Sequence, residues 1–136
     1  MSQRATGAFD VKVVPQKPDT QIARAANLGR LTIDKRFHGD LEGISKGEML
    51  AMQSDVKGSA GYVALERVTG KLKGRSGSFV LQHSASMTRG TPAGSITVVP
   101  DSGTGELRGL SGKMHISVGA DGAHAYEFDF RLEADE

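Results

Sequence analysis

Apolar and polar residues alternate along most of this chain, and the clearest run is the last. Tyr126, Phe128, Phe130 and Leu132 fall on one parity, and Glu127, Asp129 and Arg131 on the other. A period of two is the signature of a half-buried β-strand. Similar runs recur between glycine-rich breaks, and they predict eight strands. These are 7–14, 28–38, 41–53, 60–68, 71–88, 95–100, 106–118 and 123–132. Pro15 ends the first, and a polar connection (16–27) follows, whose TQIARAAN portion suits one or two helical turns. Turns are expected at Gly39-Asp40, Thr69-Gly70, Asp101 to Gly105 and Ala120-Asp121-Gly122. The tail, 133–136, is expected to fray.

The fold class that follows is all-β, a single domain over 1–136. Several strands exceed the usual length of about six residues. Their internal glycines, Gly47, Gly74, Gly77, Gly109 and Gly112, then mark bulges or bends. Long strands bent at glycines suit an eight-stranded antiparallel barrel, because closure also removes exposed edges.

Parity assigns the faces. In the second strand Leu31, Ile33 and Phe37 point inward and carry Lys35 with them. In the fifth, Phe79, Leu81, His83, Ala85 and Met87 share the inward side. In the fourth, Tyr62, Ala64, Glu66 and Val68 oppose Val63, Leu65 and Arg67. Both faces of that strand are partly apolar, and Val80 repeats the pattern next door. One face would line the interior and the other would be covered by a second copy, so a homo-oligomer is expected.

Composition narrows the function classes. There are 18 glycines, no cysteine, no tryptophan and a formal net charge of +1. Without cysteine there is no disulfide framework, thiolate nucleophile or Cys-ligated metal. Basic residues are scattered, with only the short spread Lys71, Lys73, Arg75. A chain with few aromatics and no basic stripe is not expected to bind nucleic acid. No apolar run approaches the roughly 20 residues of a membrane span, and no membrane partner is expected. The stretch MSQRATGAFDVKVVP lacks an apolar core, so no secretory leader is expected and a cytoplasmic location fits.

Candidate chemistry centres on Glu66 and His83, both on inward parities. With a turn at Thr69-Gly70, Glu66 lies opposite a residue near Lys73. His83 is then about ten residues further along, on the order of 30 Å, unless bulges at Gly74 and Gly77 shorten the path. If the two converge in a cavity, a buried glutamate with a raised pKa would act as general base and His83 as acid or donor. The plainer alternative is a structural histidine and a surface ion network. Tyr62, Phe79, Leu81, Tyr126 and Phe128 are the expected cavity-lining, substrate-binding residues, with the two tyrosines supplying hydroxyls.

Other strings carry less. Gly43-Ile44-Ser45-Lys46-Gly47 has the Gly-x-Ser-x-Gly form, but a nucleophile elbow needs a following helix, and here the pattern is strand. His38-Gly39-Asp40 has the His-x-Asp form of an iron site, which would need His83 or His115 as a third ligand; it also reads as ordinary turn chemistry. His115 alternates outward, and His124 has inward parity at a strand mouth. Gly103, Gly105, Gly109 and Gly112 precede a strand rather than a helix and match no phosphate loop. Neither a metal nor a cofactor is expected.

The segments LGRLTIDKRFHGDLEGISKGEML, VKGSAGYVALERVTGKLKGRSGSFVLQHSASMTRG and SITVVPDSGTGELRGLSGKMHI resemble the DUF3224 family of small bacterial proteins. The strings ERVTG, GRSGSFVLQH and VVPDSGTGEL are the most specific, and the resemblance runs from residue 7 to 132. It implies an allene-oxide-cyclase-like barrel, eight antiparallel strands around a central cavity, in proteins that often form dimers or trimers. It implies no particular activity and transfers no catalytic residue. The expected function is therefore to bind a small apolar ligand in the barrel interior, with isomerase or cyclase chemistry as its enzymatic form. The alternative is a non-catalytic structural or stress-associated oligomer with a filled barrel.

Overall fold

Inward apolar residues at every second position cannot be buried by a flat ribbon alone, and here the ribbon closes on itself. The computed structural model describes residues 2–132. Its strands are β1 (Gln3–Gln16), β2 (Gly29–Phe37), β3 (Leu41–Gln53), β4 (Ala60–Leu72), β5 (Arg75–Thr88), β6 (Thr91–Val98), β7 (Leu110–Val118) and β8 (His124–Leu132). All pair antiparallel in chain order, and β1 pairs with β8 to complete a closed barrel. One short helix, α1 (Gln21–Ala26), lies in the β1–β2 connection and starts at Thr20, whose side chain accepts from the Ala23 N–H. No helix among the described residues is long and apolar enough to cross a membrane. The fraying expected of 133–136 falls outside the described residues.

The eight-strand barrel matches the expectation, but one expected turn does not, and another falls where none was named. The chain reverses between β4 and β5 at Lys73-Gly74, not Thr69-Gly70, and between β5 and β6 at Arg89-Gly90. Both dipeptides have positive φ at each residue, 47° and 86° in the first, 48° and 90° in the second. That is the two-residue turn whose twist matches the flanking strands. Gly70 instead lies inside β4, opposite Gly43 on β3 and Gly77 on β5. A Cβ on Gly70 would sit 2.1 Å from the Glu42 carbonyl oxygen and 2.6 Å from the Gly43 Cα. This row lets three neighbouring strands coil tightly at one end. Gly70→Ala should therefore lower stability by about 1–3 kcal/mol, read as a lower urea midpoint at unchanged slope.

The barrel has two unlike ends. At the floor, the segment between β6 and β7 folds under the barrel and buries Leu107 completely. It also replaces the missing strand partner of lower β5. Ser102 Oγ, Thr104 Oγ1 and Glu106 Oε1 accept from the N–H groups of Val80, Ser78 and Ser76. Alternate side chains of the DSGTGEL string thus satisfy alternate edge donors, which an open edge would leave to another chain. Above the floor, Phe79 stacks on Phe128 at 5.8 Å and Phe128 on Phe130 at 5.4 Å. The Tyr126 hydroxyl donates to the His38 carbonyl (2.8 Å) and accepts from the Leu41 N–H (2.9 Å).

At the other end, the mouth, β6 and β7 diverge after the single register pair Thr97–Lys113. Pro92 is tolerated within β6 because this strand is nearly unpaired on its β7 side. On the outer wall, Leu50, Val63 and Leu65 are 46%, 53% and 54% exposed. Leu50 pairs directly with Val63, so they form one apolar strip across β3 and β4.

Candidate functional site

Four polar side chains lie buried at mid-height: Lys35, Ser45, Glu66 and His83. Each occupies an inward position of its own strand, β2 to β5. The register brings them together, with Lys35 opposite Ser45, and His83 opposite Ala64, one inward step from Glu66. Across from Glu66 is Gly47, where a Cβ would lie 2.7 Å from the glutamate Cβ. The missing side chain leaves the carboxylate its space.

Glu66 is the hub. Its Oε1 accepts from Lys35 Nζ at 2.9 Å and meets His83 Nε2 at 2.7 Å; its Oε2 accepts from Ser45 Oγ at 2.6 Å. The Lys35 ammonium also faces the rings of Phe9 (5.0 Å) and Phe37 (5.8 Å), an attraction that partly replaces lost hydration. Burial is the strongest influence on the Glu66 carboxyl and pushes its pKa up. The hydrogen bond from His83, the Lys35 charge, the Ser45 hydroxyl and the His83 charge together outweigh it. The pKa falls from its ordinary 4.5 to about 2. An ionised carboxylate only accepts, so His83 carries its proton on Nε2 in this contact.

This geometry corrects the sequence expectation twice. Glu66 and His83 touch instead of lying far apart, because the turn at Lys73-Gly74 moves the register and sets Glu66 opposite Leu81. The Glu66 pKa is lowered, not raised, because burial comes with three hydrogen-bonding partners that favour the ionised form. A carboxylate held near 2 is a weak base at neutral pH.

On the mouth side of this layer lies a cavity of about 1260 Å³. Its deeper wall is Met49, Ala51, Tyr62, Ala85, Ile96 and Met114, and it opens at the mouth. The Tyr62 ring centroid is 6.5 Å from that of His83, so Tyr62 links the cavity to the charged layer. Of the expected lining residues, only Tyr62 borders this cavity. Phe79, Leu81, Tyr126 and Phe128 belong to the packed core on the floor side, each 1% exposed or less. The reason is steric: aromatic rings at inward positions fill the narrow end, and smaller side chains at the mouth leave it hollow.

Lys35 and Ser45 are site residues to which sequence reasoning assigned no role. Parity placed Lys35 inward, and Ser45 shares parity with Leu41 and Met49; a hydrophilic residue forced inward was the available signal. The Gly-x-Ser-x-Gly string lies within β3, and its serine serves Glu66. His38-Gly39-Asp40 is the β2–β3 turn, with Gly39 at φ +100° and Asp40 Oδ2 accepting from the Thr6 N–H. The His38 ring lies 3.1 Å from Asp10 at the surface. His115 is exposed, and His124 packs on Phe9 near the mouth.

Fold and site define a small all-β barrel with a packed floor, a buried ion-pair layer and an apolar chamber open above it. The chain matches the family described as "Protein of unknown function (DUF3224)" over residues 5–130 and belongs to it. It is similar to the crystal structure of a DUF3224-family protein of unknown function from Shewanella oneidensis MR-1. The two share 50% sequence identity, with 98% of each chain covered and a TM-score of 0.89. No curated protein matches the chain.

Proposed function

We propose that this barrel binds a small, largely apolar molecule in the mouth-side chamber, with Tyr62 standing between it and the charged layer. The observation that carries this reading is the hollow itself. A cavity of about 1260 Å³ exceeds the ~300 Å³ from which ligand pockets begin, and its deep wall is almost entirely apolar. A cytoplasmic site of action suits the cysteine-free chain. Isomerase or cyclase chemistry in an allene-oxide-cyclase-like barrel would act by holding a flexible substrate in one conformation. The Glu66 carboxylate and the His83 ring do not line the chamber, so they would act on a substrate through Tyr62 and their field, which suits a carboxylate with so low a pKa better than proton abstraction.

Native mass spectrometry of protein purified from its own host tests the reading. The expected spectrum shows a small-molecule adduct that is lost in Ala85→Trp, which puts a large ring into the deep wall of the chamber. Bare protein in the parent, together with no binding of any apolar probe, would contradict it.

The Leu50, Val63 and Leu65 strip favours a second reading that is compatible with the first: copies of this chain associate through the outer wall of β3 and β4. Sedimentation at micromolar concentration should give a dimer or trimer, and Leu65→Glu a monomer. A parent protein that sediments as a monomer removes this reading.

A further inference from the structure

The two inward tyrosines are in opposite states. Tyr126 is fully engaged, its hydroxyl bonded to backbone groups of the β2–β3 turn. The Tyr62 hydroxyl has no hydrogen-bond partner among the described residues, and its ring borders both the chamber and His83. A phenol set in an apolar wall without a protein partner is the arrangement of a group that meets a ligand. The other deep wall positions, Met49, Ala51, Ala85, Ile96 and Met114, offer no side-chain hydrogen-bond donor. Polar lining residues such as Asn27, Gln53 and Lys113 are exposed, at the mouth or on outward positions.

The charge beneath Tyr62 selects among ligands. Glu66 lies two residues away on the same face of β4 and is ionised, with the Lys35 ammonium already committed to it at 2.9 Å. A carboxylate placed at Tyr62 would lose water against an apolar wall, with the Lys35 ammonium already bonded to Glu66. Burial, and after it the Glu66 charge, raises the Tyr62 pKa, so the phenol stays protonated and able to donate.

We infer that the chamber takes a neutral apolar molecule bearing one carbonyl or hydroxyl group, which hydrogen-bonds to Tyr62, and discriminates against carboxylates. This assignment rests on the chamber being a ligand site.

Three probes of similar size separate the terms: acetophenone, ethylbenzene and benzoate, titrated at neutral pH and followed by the NMR signals of the Ile96 and Met114 methyl groups. Tyr62→Phe should weaken acetophenone about tenfold, the worth of one good hydrogen bond. It should leave ethylbenzene unchanged, which also reports an intact chamber. Benzoate should bind the parent at least about tenfold more weakly than acetophenone, because its charge loses water in the chamber. Ethylbenzene binding with no effect of Tyr62→Phe on acetophenone overturns the head-group assignment and leaves the chamber reading standing. Benzoate binding as tightly as acetophenone overturns the discrimination. If none of the three binds, both this inference and the proposed function fall.

Discussion

Replacing Glu66 with leucine is expected to cost about 3–5 kcal/mol of stability, because it strands the Lys35 ammonium in the barrel without its partner. Lys35 is 6% exposed and, among the described residues, its one carboxylate contact is Glu66. The rings of Phe9 and Phe37 offset only part of its dehydration. His83 and Ser45 lose their acceptor in the same substitution, which adds the penalty of unsatisfied buried donors. Adding Lys35→Met should recover much of the loss, since a buried ion pair replaced whole by apolar groups is often close to neutral. The double-mutant cycle, measured by urea unfolding, should therefore show a strong coupling between positions 35 and 66. If Glu66→Leu proves too unstable to purify, Glu66→Gln keeps the shape and removes the charge, and it should still fall well below the parent. Single substitutions costing less than about 1 kcal/mol, the range of exposed ion pairs, would mean that the four groups do not share one dry site.

Acid should undo the same layer. The Glu66 pKa is depressed in the folded state, so its contribution is fully present above the unfolded value and is lost as pH falls. The window runs from 4.5 down to about 2. At about 1.36 kcal/mol per pKa unit, the full effect is on the order of 3 kcal/mol. Urea midpoints recorded between about pH 6 and pH 2 should drop steeply for the parent. Asp129 is also depressed, first by its hydrogen bond from Arg4, and it titrates in the same direction. The difference between the parent and Glu66→Gln isolates Glu66: the gap should narrow as pH falls through this window. A gap that is constant with pH would show that Glu66 is not held ionised.

Much of the fold was legible because the barrel obeys a period of two. The last strand, 123–132 against His124–Leu132, and the third, 41–53, were readable almost to the residue. Inward parity also found Glu66, His83 and Lys35. What failed was register, and it failed for a local reason. Lys73-Gly74 turns the chain with a lysine at positive φ, where asparagine or glycine is the expected residue. Thr69-Gly70 looked more like a turn, yet Gly70 is needed for strand coiling, which depends on the neighbouring strands and leaves no local mark. Shifting that turn separated Glu66 from His83 on paper.

The state of the site was less legible than its membership. A glutamate on an inward parity can be raised by burial or lowered by partners, and only the convergence of Lys35, Ser45 and His83 decides which wins. The chamber was misplaced for a similar reason. Aromatic residues suggested a ligand wall, but Phe79, Phe128 and Phe130 fill the narrow floor. The hollow forms where Ala51 and Ala85 meet strands that splay beside Pro92, a property of β6 and β7 pairing rather than of any one residue.

The interior is divided: solid below the Lys35–Glu66 layer and hollow above it. Crystals held under xenon pressure test this most directly, because the gas enters apolar voids without needing a particular shape. Xenon density is expected among Met49, Tyr62, Ile96 and Met114, and none among Phe79, Phe128 and Phe130. A chamber closed over by its own mouth residues, with no xenon at either level, would contradict the account.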